Sequence, residues 1–108
     1  MPTVLIVEDC AERDAVLRRR FVGYNVTIAR SYDEAVAHLQ EAYFDVVSLD
    51  YDLGGANGND VAMFLAGLPV PRRPHAVIVH SMNPVGAQRI LRTLETAGIS
   101  TVYRPFGS

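Results

Sequence analysis

Short, largely apolar runs alternate with amphipathic stretches along the whole chain, and this alternation limits the fold more than any other feature. Val4 to Val7 is continuously apolar and ends in Glu8-Asp9. A run with no polar residue fits a strand covered on both faces, as in a parallel sheet between helix layers. Asp45 to Leu49, Ala76 to His80 and Thr101 to Tyr103 read the same way, and Asn25 to Ala29 is a shorter strand with Val26 and Ile28 on one face. The stretches between them are helical: Ala11 to Val22, a segment opened at Ser31, a short one from Asn59 to Ala66, and Pro84 to Ala97. Ser31 and Glu34 form a capping box, in which hydroxyl and carboxylate satisfy orphan amides at a helix start. Gly23 stops the first helix, Leu53 to Gly58 is a loop, and Pro69, Pro71 and Pro74 stiffen a connector. Strand-helix repeats of this length imply right-handed crossovers and a doubly wound α/β sheet.

With 108 residues and 49% hydrophobic side chains, the expectation is one domain over 1–108 with an ordinary core. A net charge of -2 argues against a nucleic-acid module, and Arg18-Arg19-Arg20 reads as a solvated helix face. All ten basic side chains are arginine; there is no lysine. The lone Cys10 forms no internal disulfide, and Met-Pro-Thr does not begin like a secretory signal. No apolar run approaches the ~20 residues needed to cross a bilayer. A cytoplasmic location without membrane contact is expected.

Ligands of open α/β sheets sit beyond the carboxyl ends of the strands. Carboxylates stand there twice: Glu8-Asp9 after the first strand, and Asp50 with Asp52 after the third. If those strands are neighbours the charges converge, and like charges that close need protons or a cation. Hard oxygen ligands suit Mg2+, which also takes phosphate oxygens. Ser81 follows the fourth strand and Arg104 the fifth, adding a hydroxyl and a permanent cation able to hold phosphoryl oxygens.

In these segments the sequence resembles the receiver domains of two-component signalling. The matching pieces are Val4-Leu5-Ile6-Val7-Glu8-Asp9, Val46-Val47-Ser48-Leu49-Asp50, Gly58, Val77-Ile78-Val79-His80-Ser81 and Val102-Tyr103-Arg104-Pro105-Phe106. The resemblance implies a flavodoxin-like sheet of order 2-1-3-4-5. It implies Asp50 as phosphoacceptor, Glu8, Asp9, Asp50 and the Asp52 carbonyl as Mg2+ ligands, and Ser81 with Arg104 as the switch pair. A histidine kinase or phosphotransfer protein would be the partner. Four features depart from the family pattern: arginine replaces its lysine at 104, glycine its usual proline at 54, an acid stands at 52, and the chain stops before a fifth helix. Ser48-Leu49-Asp50-Tyr51-Asp52-Leu53-Gly54 and Val79-His80-Ser81-Met82-Asn83-Pro84-Val85-Gly86 are more particular. They resemble a divergent receiver-like group linked to cyclic-phosphate or RNA-end processing, in which His80 and Asn83 would help line the pocket.

Three functions are compatible with these residues. One is a stand-alone receiver phosphorylated on Asp50. Another is an enzyme or binder of small phosphates, either of the cyclic-phosphate type or resembling haloacid-dehalogenase-type phosphatases through Asp50-x-Asp52, where Asp50 would be the nucleophile and Asp52 a general acid. The third is a pseudo-receiver that only binds protein. Without a fifth helix, apolar surface around Ile90, Leu94 and Tyr103 is expected to be exposed and to support a homodimer or partner contact. Arg104, longer than lysine and forked, is expected to lie across the pocket rim rather than point inward.

Overall fold

The computed structural model describes residues 1–105; Phe106, the last residue of the closing motif, and the terminal Gly107-Ser108 lie outside them. Five parallel strands form one sheet in the order β2-β1-β3-β4-β5. They are β1 (Thr3–Val7), β2 (Asn25–Ala29), β3 (Val46–Leu49), β4 (Ala76–Val79) and β5 (Thr101–Tyr103). The crossovers carry α1 (Ala11–Arg18), α2 (Tyr32–Glu41), α3 (Gly58–Gly67) and α4 (Pro84–Thr96). This is the doubly wound, flavodoxin-like order expected from the sequence. No described helix is long and apolar enough to cross a membrane.

The sheet separates two apolar layers. Leu5, Val7, Val47, Leu49, Val77 and Val79 face α2, α3 and α4 in the larger one. Val4 and Ile6 meet Leu17 and Phe21 on the other face, with Val26, Ile28, Val46 and Ile78 partly buried around them. Val4–Val7 of β1 and all of β4 read as unbroken apolar runs because each face of the sheet has its own helices to meet.

Helix ends depart from the expected ones for local reasons. The first helix becomes a 3-10 turn at Arg19–Phe21 rather than running to Val22, which brings Phe21 into the α1 layer. Gly23 then turns the chain with φ of 92°. Helix α3 begins at Gly58 because Asn57 caps it in a reciprocal box with Asp60. Asn83 does the same work for α4, its side-chain oxygen accepting from the Gly86 amide at 3.1 Å.

The expected exposed patch is not found where the sequence pointed. Ile90 and Leu94 are wholly buried, because the apolar stripe of α4 packs into the layer shared with α2 and α3. Tyr103 is half-buried and donates its hydroxyl to the Ser81 carbonyl at 3.0 Å. Apolar surface lies on the opposite face and around the start of α4: Val102 is 54% exposed, and Met82 in the loop before α4 and Val85 in its first turn are exposed too.

Candidate functional site

Strand register builds the site. Val7 pairs with Leu49, and Leu49 with Val79, so the next residues of β1, β3 and β4 fall in a row. Those residues are Glu8, Asp50 and His80. Each extends the sheet ladder by one bond: Glu8 N–H to Ala29 O, Asp50 N–H to Val7 O, and His80 N–H to Leu49 O, at 3.0, 3.1 and 3.1 Å. The three side chains are 0, 2 and 1% exposed, and one donor atom from each lies within 4.8 Å of the others.

Hydrogen bonds fix most of the donor atoms. His80 Nε2 lies 3.0 Å from Glu8 Oε1, and His80 Nδ1 lies 2.7 Å from the Ser48 hydroxyl. A carboxylate only accepts, so in the neutral ring Nε2 carries the hydrogen and Nδ1 accepts from Ser48. Glu8 Oε2 accepts from the Cys10 amide at 3.1 Å, and Asp50 Oδ1 from the Tyr51 amide at 2.8 Å. Asp50 Oδ2 is buried and has no hydrogen-bond partner among the described residues. The guanidinium of Arg13 stands over the pocket, its Nη1 3.8 Å from Glu8 Oε2 and 3.7 Å from Asp50 Oδ2.

The two buried acids are driven apart electrostatically. Burial pushes the Asp50 carboxyl up, and the Glu8 charge adds to it, against weaker help from His80, the Tyr51 amide and the Ser81 hydroxyl. Burial opposes ionisation of Glu8 as well. There the His80 hydrogen bond, the Cys10 amide and the charges of His80 and Arg13 together prevail, holding it below the usual range. Pairs separated in this way are common where proton or metal chemistry occurs.

The other expected residues are distributed unevenly. Ser81 is buried beside Asp50, and its hydroxyl accepts from the Asn83 amide at 3.1 Å. Asn83 is half-buried, and its side chain serves as the α4 cap. Asp9 is exposed next to Glu8, with its carboxyl raised by desolvation and by Glu8. Asp52 is exposed in the loop after β3, its backbone bridged to Asn57. Arg104 is exposed as well. Its amide donates to Val79 O at 2.8 Å and its carbonyl accepts from Arg20, so the backbone continues the sheet while the side chain stays outside.

Two members of the site escaped the sequence reading, Ser48 and Arg13. Ser48 had a visible signal, being the only hydroxyl in an otherwise apolar β3. Arg13 had none, since an arginine on an amphipathic helix normally faces solvent.

The donor set suits a divalent cation. Two buried carboxylates carry more negative charge than one half-exposed arginine offsets, and one carboxylate oxygen has no hydrogen-bonding partner. Both His80 nitrogens are engaged, Nε2 with Glu8 and Nδ1 with Ser48, so the carboxylate oxygens are the ligands on offer, and these suit a hard ion such as Mg2+ or Mn2+.

Comparison with known proteins bears on the family and the fold. Residues 3–96 match the family model described as the cyclic-phosphate processing receiver domain. A protein-glutamate methylesterase/protein-glutamine glutaminase of Bacillus licheniformis is 29% identical over the whole chain, which spans only 30% of that protein. The receiver domain of a sensor histidine kinase from Pseudomonas aeruginosa, solved with magnesium in its active-site cleft, superposes with TM-score 0.78 at 22% identity, covering 99% of this chain and 86% of that one. A response regulator from Thermotoga maritima in complex with Mg2+-BeF gives 0.71 at 20% identity, covering 99% and 90%. The fold is therefore that of receivers, and the matched sequence, with the His80 segment inside it, makes the chain a member of the cyclic-phosphate processing receiver family.

Proposed function

We propose that this pocket binds a divalent cation together with a small phosphate ester and opens a cyclic phosphodiester by hydrolysis. The observation that carries the reading is the imidazole of His80, buried within 4.8 Å of both Glu8 and Asp50, where a simple phosphoacceptor needs only acids. Glu8 and Asp50 would hold the cation, Mg2+ or Mn2+, which supplies positive charge to neutralise the phosphate. Opening the ring forms a bond from water oxygen to phosphorus and breaks one ester bond, so a proton must leave the water and another must reach the departing oxygen. His80 is placed to supply the second of these, from the Nε2 hydrogen it holds against Glu8 Oε1 with its ring fixed from behind by Ser48, while the proton lost by the water passes to solvent.

Hydrolysis of a 2′,3′-cyclic nucleotide in the presence of Mn2+, lost in His80→Asn with the fold intact, is the expected result. Equal turnover by His80→Asn would rule out this role for the imidazole.

A second reading is favoured by Asp50 Oδ2, the buried oxygen without a hydrogen bond. It could attack a phosphoryl group, making Asp50 the acceptor for a histidine kinase or phosphotransfer protein. Labelling by acetyl phosphate that disappears in Asp50→Asn, with no cyclic-phosphate turnover, would select this reading over the first.

A further inference from the structure

Arg13 is placed by α1, outside the row of strand ends, yet it reaches both buried acids. Its side chain is 42% exposed, whereas those of Glu8 and Asp50 are 0 and 2% exposed. The guanidinium therefore enters from solvent and lies across the mouth of the pocket. It faces Glu8 Oε2 and Asp50 Oδ2, the oxygens on the side away from the Glu8–His80 bond and the Tyr51 amide. At 3.8 and 3.7 Å it neutralises charge without making the short, directional bonds that would lock it in place. A divalent cation in this row would draw its ligands from the same two carboxylates. Arg104, which the family pattern would bring to this position, is exposed beside Arg20, whose pKa is lowered by burial and by the charge of Arg104.

We propose that Arg13 is an exchangeable counter-ion: it neutralises Glu8 and Asp50 in the metal-free pocket, yields their oxygens to the cation, and then grips the phosphate that the cation attracts. The exchange rests on the metal-and-phosphate reading given above. Arginine suits both tasks, because it keeps its charge and its planar fork matches two phosphate oxygens.

Calorimetric titration of the EDTA-treated protein tests both halves. Arg13→Gln should bind Mn2+ about twofold to fivefold more tightly, as expected for removing a competing partly exposed ion pair. With Mn2+ saturating, the same variant should bind inorganic phosphate at least threefold more weakly. Unchanged or weaker Mn2+ binding, or undiminished phosphate binding, overturns the proposal. A wild-type chain that binds no Mn2+ would overturn both the exchange and the metal-dependent function. The counter-ion role can be read separately in EDTA, where Arg13→Gln should lower Tm more in the wild type than in Asp50→Asn, which keeps only the Glu8 contact. An equal drop in both would mean that Arg13 only packs against α1 and that the counter-ion role is wrong.

Discussion

Glu8 and Asp50 have the same chemistry and nearly the same burial, yet should respond oppositely to neutralisation. The Asp50 carboxyl lies above its unfolded value, first through burial and then through the Glu8 charge. A raised carboxyl contributes stability below its unfolded pKa and loses it as pH rises through the folded one, so at pH 7 the ionised Asp50 weakens the metal-free fold. Asp50→Asn should therefore raise Tm in EDTA by several degrees, or about 1 kcal/mol. For Glu8, burial is outweighed by His80, the Cys10 amide and Arg13. Its stabilisation is present above the unfolded pKa and lost as pH falls through the lowered folded one, so Glu8→Gln should cost about 1–3 kcal/mol at pH 7. Shifts of the same sign in both variants would refute this assignment. Ser48 contributes through His80. Ser48→Ala leaves a buried ring nitrogen unpaired and should cost about 1–3 kcal/mol in chemical denaturation, whereas a neutral effect would mean that another group already holds the ring.

Elements bring these residues together through two close approaches. A Cβ at Gly58 would collide with the Asp50 carbonyl oxygen and with Ile90, so the start of α3 can lie against the end of β3 only without a side chain. At Gly86 the obstruction would be the Tyr51 ring, whose hydroxyl is held by Arg89 at 2.6 Å and Asn57 at 3.3 Å. Gly58→Ala should therefore displace Asp50, destabilise the fold by about 1–3 kcal/mol and weaken Mn2+ binding, read by thermal melts and titration. A variant with native stability and native metal affinity would show that α3 can move aside at no cost. The strands were legible because a sheet covered on both faces leaves largely apolar runs, and Gly58 because a glycine at the start of the third helix is part of the receiver pattern. The caps at Asn57 and Asn83 were harder to see, since asparagine caps look like ordinary loop residues and Asn83 resembled a pocket residue. His80 was legible as a pocket residue from its segment, but its place beside Glu8 and Asp50 followed only once β1, β3 and β4 were known to be neighbours. Arg13 and Arg104 show where sequence reasoning stops: whether an arginine reaches inward depends on side-chain paths that neither periodicity nor motif encodes.

Across the whole molecule, the helix layers cover the two faces unequally. Three helices bury Ile90 and Leu94 on one face, while α1 leaves Ile78 and Val46 partly buried and Val102 exposed on the other. The pocket opens at the edge where β1, β3 and β4 end, so its charge acts on strands from both layers, and occupying it should stabilise the fold as a unit. A ligand that binds only the folded state adds RT ln(1 + [L]/Kd), about 2.7 kcal/mol at a hundredfold excess over Kd. For a chain of this size that is a Tm increase of about 10 °C or more. Protons compete for the same oxygens, and the raised Asp50 carboxyl takes its proton at a higher pH than an ordinary aspartate. Metal-induced stabilisation should therefore be fully present in mildly alkaline buffer and start to fade before pH reaches the usual carboxylate range. Thermal melts with Mn2+ and with EDTA, repeated from alkaline to acid pH, measure this difference directly. In Asp50→Asn the difference should be small at every pH. If it remains large there, or is independent of pH in the wild type, the cation is bound somewhere other than the Glu8–Asp50–His80 row.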